Sequence, residues 1–233
     1  MQTLSYLPGT LLTEQSFVAV NSGLRAAVSS TRTHILGDGE TFAAELARLA
    51  DSARSPEVWV GHSLGGIFAI NLAILHPEKC AAIVCIASTA RADLPANRSI
   101  RHAQLSRARA TGSCEAVSLE MKPVFGVAAH SVIAKSLAAQ AASVGLRRFG
   151  HQTEYALSRP EWRGSHSTIN CPILALVGSD DDICPPALSA EIAALGANPQ
   201  RARWACIEGA GHLAPMTHPR DVAAHISEFL AAL

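Results

Sequence analysis

Residues 57–75 restrict the fold more than any other stretch. Glu57 to Val60 reads as a buried strand and passes directly into Gly61-His62-Ser63-Leu64-Gly65. From Gly66 to Leu75 the chain is strongly apolar and helical, ending near His76-Pro77. A strand that becomes a helix within five residues needs a sharp, strained connection. Glycines at both flanks remove the Cβ atoms that would collide as strand and helix close around the serine. The Ser63 hydroxyl then points up from the sheet edge, and the helix N-terminus favours negative charge developing there. Taken alone, G-x-S-x-G is a common accident, a serine in a glycine-rich connection. Set between a strand and a helix it is a strong signal for an exposed nucleophile.

The remaining pattern repeats this alternation. Strand-length runs are Leu4 to Leu7, stopped by Pro8-Gly9; Thr33 to Leu36, before Gly37-Asp38-Gly39; Ala81 to Ala87; Pro172 to Val177, closed by Gly178; and Arg203 to Ile207. Helix-period segments follow from Thr41 to about Ala53, with Phe42, Leu46 and Leu49 on one face, and from Val222 to Leu233. Strands alternating with helices predict an α/β fold, a mostly parallel sheet flanked by helices. From about Thr89 to Ile169 the character changes. Helical patterns such as Val132 to Val144 appear without a convincing buried strand. Here Arg91, Arg98, Arg101, Arg107, Arg109, Lys122, Lys135, Arg147 and Arg148 outnumber the acids. This segment reads as a helical insertion between two strands of one domain spanning 1–233, not as a second domain.

Composition narrows the function classes. The 19 basic and 19 acidic side chains balance, so no field of one sign points to nucleic acid or a membrane surface. No run approaches the ~18 apolar residues of a membrane span, and no basic segment precedes an apolar run at the N-terminus. The 6 cysteines lack paired spacing, which suits reduced thiols in a cytoplasm better than disulfides or a zinc site. No metal, Walker A or dinucleotide motif is present; Gly37-Asp38-Gly39 is an isolated G-x-G. No cofactor is expected, and the expected partner is a small-molecule substrate. The sequence leaves the oligomeric state open.

A serine hydroxyl needs a base. Among 10 histidines, His212 stands in Gly209-Ala210-Gly211-His212, a glycine loop directly after the last strand. Such a loop lets an imidazole reach across the strand ends, where open α/β sheets bind ligands. His62, adjacent to the serine, should point away from it and line the site or pack; His76 reads as a helix cap or surface residue. An acid must orient the base, and Asp180, Asp181 and Asp182 after the Pro172–Val177 strand offer three. An oxyanion hole would take the backbone N–H of Leu64 and a second from Leu7-Pro8-Gly9-Thr10-Leu11, placed at Thr10 with Leu11 as the alternative.

Together these segments resemble the α/β-hydrolase fold superfamily over nearly the whole chain. Leu-Pro-Gly-Thr-Leu-Leu resembles its oxyanion loop, Gly-His-Ser-Leu-Gly-Gly its nucleophile elbow. Gly-Ser-Asp-Asp-Asp-Ile-Cys-Pro-Pro and Gly-Ala-Gly-His-Leu-Ala-Pro-Met resemble its acid and histidine loops. The resemblance selects Asp181, by its spacing from Gly178 and Pro185, and gives the order Ser63, Asp181, His212. It implies that residues from about 89 to 169 form a lid. Two departures stand out: the chain starts at what corresponds to the family's third strand, and Pro8 replaces the histidine of a common His-Gly pair.

The resemblance implies hydrolysis of a small ester through an acyl-enzyme, in the manner of a carboxylesterase. Carbon–carbon or enol-lactone hydrolysis uses similar triads, and acyl transfer shares the intermediate. A non-catalytic small-molecule binding protein on the same fold is the alternative from another class. The basic excess of the insertion hints at an acidic substrate group; solvated arginines on exposed helix faces explain it equally well and are the preferred reading.

Overall fold

The central strands are buried almost throughout, and their successive residues pack on opposite faces of one sheet. The computed structural model describes residues 2–24, 28–121, 131–164 and 168–233. Its strands are β1 (Gln2–Leu7), β2 (Val28–Thr33), β3 (Glu57–His62), β4 (Cys80–Ile86), β5 (Ile173–Gly178) and β6 (Ala202–Ile207). Every pairing is parallel, in the order β2-β1-β3-β4-β5-β6. Trp59, Ile83, Cys85 and Ala175 face α2 (Phe42–Ser52), α3 (Leu64–Leu75) and α7 (Pro186–Ala193). Val58, Val60, Val84, Leu174 and Leu176 face the other way, against α1 (Val18–Gly23) and α9 (Pro219–Ala231). The α/β-hydrolase fold expected from the sequence is therefore present. Among the described residues no helix is long and apolar enough to cross a membrane.

The strand order reverses between β1 and β3. From that boundary one connection runs outward to β2 and the other to β4, leaving a crevice beyond the carboxyl ends of both strands. The Pro8–Leu12 loop and Ser63 sit at this crevice.

Between β4 and β5 the described chain forms α4 (Asn97–Thr111), α5 (Glu115–Met121) and α6 (Val132–Ser158), and no strand. These helices share a small core of their own, Leu105, Ala108, Val117, Ala141, Val144 and Phe149, which reaches down to Leu11 of the loop after β1. The helix α6 bends at Gly145, whose φ of 74° and ψ of 169° interrupt it. Lys122, counted in the basic excess, lies outside the described residues.

Two elements depart from expectation. The second strand is Val28–Thr33, not Thr33 to Leu36. As the sheet's edge it is polar and half exposed, so no apolar run marks it. The apolar Leu36 is instead a loop residue anchored in the main core, with Ile35 half buried nearby. The closing helix begins earlier, at Pro219, a residue whose fixed φ suits a first helical turn.

Candidate active site

The turn at Ser63 is built from steric necessity. A Cβ on Gly61 would lie 2.3 Å from Gly65 O, and one on Gly65 only 1.8 Å from Leu7 O, so β1, β3 and α3 meet backbone to backbone. Ser63 itself adopts φ 52° and ψ −115°, in the region that favours glycine. That strain is held from both sides: Ser63 N–H donates to Ile86 O at 2.9 Å, and Ser88 Oγ donates to Ser63 O at 2.8 Å. Leu11 and Ala87 also have positive φ, so all three such non-glycine residues among those described sit at the carboxyl ends of β1, β3 and β4. Clustered strain of this kind marks functional sites.

His212 enters from the loop after β6. Its Nε2 lies 3.0 Å from Ser63 Oγ, and its Nδ1 lies 3.1 and 3.0 Å from the two Asp181 oxygens. Asp181 is buried, whereas Asp180 and Asp182 are exposed. Burial opposes the charged carboxylate, but the hydrogen bond from His212 and the N–H groups of Cys184 and Ile183 outweigh it and hold Asp181 below its ordinary range. An ionised carboxylate only accepts, so Nδ1 carries the proton and Nε2 accepts from Ser63. The three side chains proposed from sequence therefore meet in one chain of hydrogen bonds.

The loop after β1 separates its two candidate donors. Leu11 N–H donates to Gln152 Oε1 at 3.0 Å, and Leu12 N–H to Gly9 O at 3.1 Å. Among the described residues no protein acceptor takes the N–H of Thr10 or Leu64. Thr10 lines the same cavity as Ser63 and His212.

Three contacts were not legible as functional in the sequence. His62 turns away from Ser63, as expected, and its Nε2 donates to His212 O at 2.8 Å, fixing the backbone of the histidine loop. Burial, reinforced by the adjacent His212, pushes His62 down to about 3, so it is neutral. Gln152 spans the loops after β1 and β2, accepting from Leu11 and donating to Leu36 O at 2.8 Å. One helix-half away, Gln140 Oε1 accepts from Thr13 N–H at 2.8 Å. Nothing in a glutamine's sequence context signals such a bridge. The isolated Gly37-Asp38-Gly39 is structural: the buried Glu45 carboxylate accepts from Gly37 N–H and Gly39 N–H.

The cavity above Ser63 measures about 510 Å³. Ile67 and His212 join Ser63 on its floor, Phe149, Gln152 and Thr153 of α6 form one wall, and Arg101 and Gln104 of α4 another. Asp181, Cys184 and His212 bring potential ligand atoms within 4.8 Å of one another. Burial, with the Asp181 charge, pushes the Cys184 thiol up to about 12, and the other two are committed to each other.

Residues 14–225 match the model of the Alpha/beta hydrolase family, and the chain belongs to that family. The Escherichia coli O157:H7 (strain EC4115 / EHEC) protein named "Putative carbamate hydrolase RutD" is 30% identical over 182 residues, which is 75% of this chain; the match spans 65% of that relative's length. A thermophilic esterase from Thermogutta terrifontis superposes with a TM-score of 0.81 at 22% identity, covering 100% of this chain and 90% of its own. The enol-lactonase from Burkholderia xenovorans LB400 superposes with a TM-score of 0.76 at 17% identity, covering 99% and 91%. At these identities the structural likeness concerns the fold.

Proposed function

We propose that this protein is a serine hydrolase that cleaves a small ester through an acyl-enzyme on Ser63. The observation carrying this reading is the unbroken path from Ser63 Oγ through the His212 ring to an ionised Asp181. Ser63 attacks the carbonyl as His212 Nε2 takes its proton, while Asp181 holds the tautomer and stabilises the imidazolium. The N–H groups of Thr10 and Leu64 receive the oxyanion; losing one such donor typically costs about 2.7–4 kcal/mol of transition-state stabilisation. His212 then activates water for deacylation. The commitment of Leu11 N–H to Gln152 favours Thr10 over Leu11 in this role. The reading treats 1–233 as one domain in which the segment from about 89 to 169 is the lid. A carbamate is the second reading, favoured by the identity to RutD, since its carbonyl suits the same attack.

The test is a serine-directed fluorophosphonate with intact-mass readout and peptide mapping. One adduct on Ser63, absent from Ser63→Ala, is the expected result. A folded wild-type protein that takes no label would overturn the assignment and favour a binding protein on the same fold.

A further inference from the structure

Four arginines line the cavity over Ser63, and they are not equally neutralised. Arg91 pairs with Glu191 through Nε at 2.8 Å and a terminal nitrogen at 2.5 Å. Arg163 pairs with Glu161 in the same two-point manner, at 3.0 and 2.9 Å. Arg163 Nε also lies 4.0 Å from Glu191, so these two cations meet two anions.

Arg101 and Arg159 instead share a single carboxylate. Arg101 donates to Asp93 through Nε at 2.6 Å and Nη2 at 3.1 Å, and Arg159 through Nη2 at 2.9 Å. The further donor to Asp93, Asn97 Nδ2 at 2.9 Å, brings no charge. The side chains of Asp93, Arg159 and Arg101 are 3%, 11% and 28% exposed, so the imbalance lies in the cavity wall with Arg101 at its more open side. Burial, together with the Arg101 charge, lowers Arg159 from its ordinary value. Its charge is felt at the thiol of Cys184, which lines the same cavity.

Two guanidinium groups against one carboxylate leave one positive charge in the wall. A desolvated charge without a counter-charge is costly, and a cleft that keeps one is suited to an anionic ligand. The donors also suit one. Arg101 uses only Nε and Nη2, and Arg159 uses Nε on Arg91 O and Nη2 on Asp93. Among the described residues Nη1 of neither is taken. A guanidinium presents its N–H groups in a planar fork that matches a carboxylate.

We propose that Arg101 and Arg159 form an anion subsite, and that the substrate is an ester bearing a free carboxylate at the end remote from Ser63. This rests on the ester-hydrolase reading above and reverses the expectation that the arginines of this segment only solvate helix faces.

Monomethyl adipate and methyl hexanoate share a six-carbon acyl chain and differ in the terminal carboxylate. Calorimetric binding of each to Ser63→Ala tests the subsite without turnover. Affinity for monomethyl adipate should be at least about tenfold higher, as for a charge-assisted hydrogen bond. The ratio should fall toward one in Ser63→Ala/Arg101→Met, where Asp93 keeps Arg159 as its partner. Asp93→Asn, which keeps both guanidinium groups and removes the counter-charge, should preserve or raise it. Equal affinities, or a ratio that survives Arg101→Met, overturn the subsite. Wild-type kcat/KM on the same pair reads the reaction separately: tighter binding of monomethyl adipate with no methanol released from either ester would sink the hydrolase reading and leave the subsite standing.

Discussion

The strand-end loops under the cavity and the helices above it are held by different kinds of contact. Below, backbone meets backbone: Gly61, Gly65 and Leu7 touch with no room for a methyl group, and three strained residues cap neighbouring strands. Above, α6 hangs on side chains. Gln140 and Gln152 hold the loop after β1, Arg147 and Arg148 hold Asp38, and Tyr155 donates to Gly39 O. Apolar side chains on that side stay exposed, with Leu94 at 64% and Val132 at 84%. Backbone sterics permit one geometry, whereas side-chain contacts exchange when residues change. The floor is thus suited to an invariant reaction and the roof to a particular substrate.

The sharpest way to break that comparison is to remove the chemistry from the floor. His212→Ala and Ser63→Ala should each lower kcat by about 10⁴- to 10⁶-fold, as expected for members of a unit that act together. The urea midpoint should change little for Ser63→Ala, whereas His212→Ala, which leaves the buried Asp181 carboxylate without its partner, should lower it. A roof substitution such as Gln152→Leu that cost as much turnover without unfolding would contradict the division.

Gly65→Ala asks whether the floor is as rigid as its contacts imply. The new Cβ would sit 1.8 Å from Leu7 O, a backbone atom that cannot rotate away, so α3 must leave β1. The expected cost exceeds about 4 kcal/mol, in the range reserved for gross core disruption. Soluble yield and urea unfolding measure it, and a near-wild-type midpoint would show that the floor can yield.

The floor was also the more legible region in the sequence. The apolar run of β3, the flanking glycines and the following helix state their own geometry, and Asp181 and His212 lie in loops that the family resemblance picks out. The edge strand β2 was misplaced because a polar, half-exposed strand carries no alternation to read. The choice between Thr10 and Leu11 depends on which way a peptide plane faces, and Gln152, which takes the Leu11 N–H, lies 141 residues from it. Arg101 looked like any solvated helix arginine; only folding brings it onto Asp93 beside Arg159. Residues whose role is set by immediate neighbours are readable, and those whose role depends on a distant partner are not.

His62 sharpens the comparison through pH, because it is a floor residue whose burial outweighs the pull of the nearby Asp181 charge. Its folded pKa is near 3 against an ordinary 6.5. Between those values the unfolded chain binds a proton that the folded protein excludes, so stability rises with pH. Acidification from 6.5 toward 3 should remove about 1.4 kcal/mol per pH unit through this residue. His34, pushed down to about 4 by burial and the adjacent arginines, acts in the same direction over a shorter window. Urea unfolding at pH 7, 5.5 and 4.5 should give a shallower acid slope for His62→Asn than for wild type. Parallel slopes would mean that His62 is protonated inside the folded protein or replaced by another titrating group.

Gly145→Ala is the smallest expected effect and separates the two kinds of construction directly. Like Gly65, this glycine is required, but for its torsion angles and not for space. Its φ of 74° and ψ of 169° lie where side chains are rarely found, yet a Cβ there meets nothing within 4 Å. The cost is then conformational alone, about 1 to 3 kcal/mol. It should fall on the junction between the two halves of α6, leaving Ser63 and His212 in contact. Urea unfolding should register the loss while fluorophosphonate labelling of Ser63 keeps its wild-type rate. If labelling slows with the loss of stability, Gln140 and Gln152 transmit the bend in α6 to the Thr10 loop, and roof and floor form one mechanical unit.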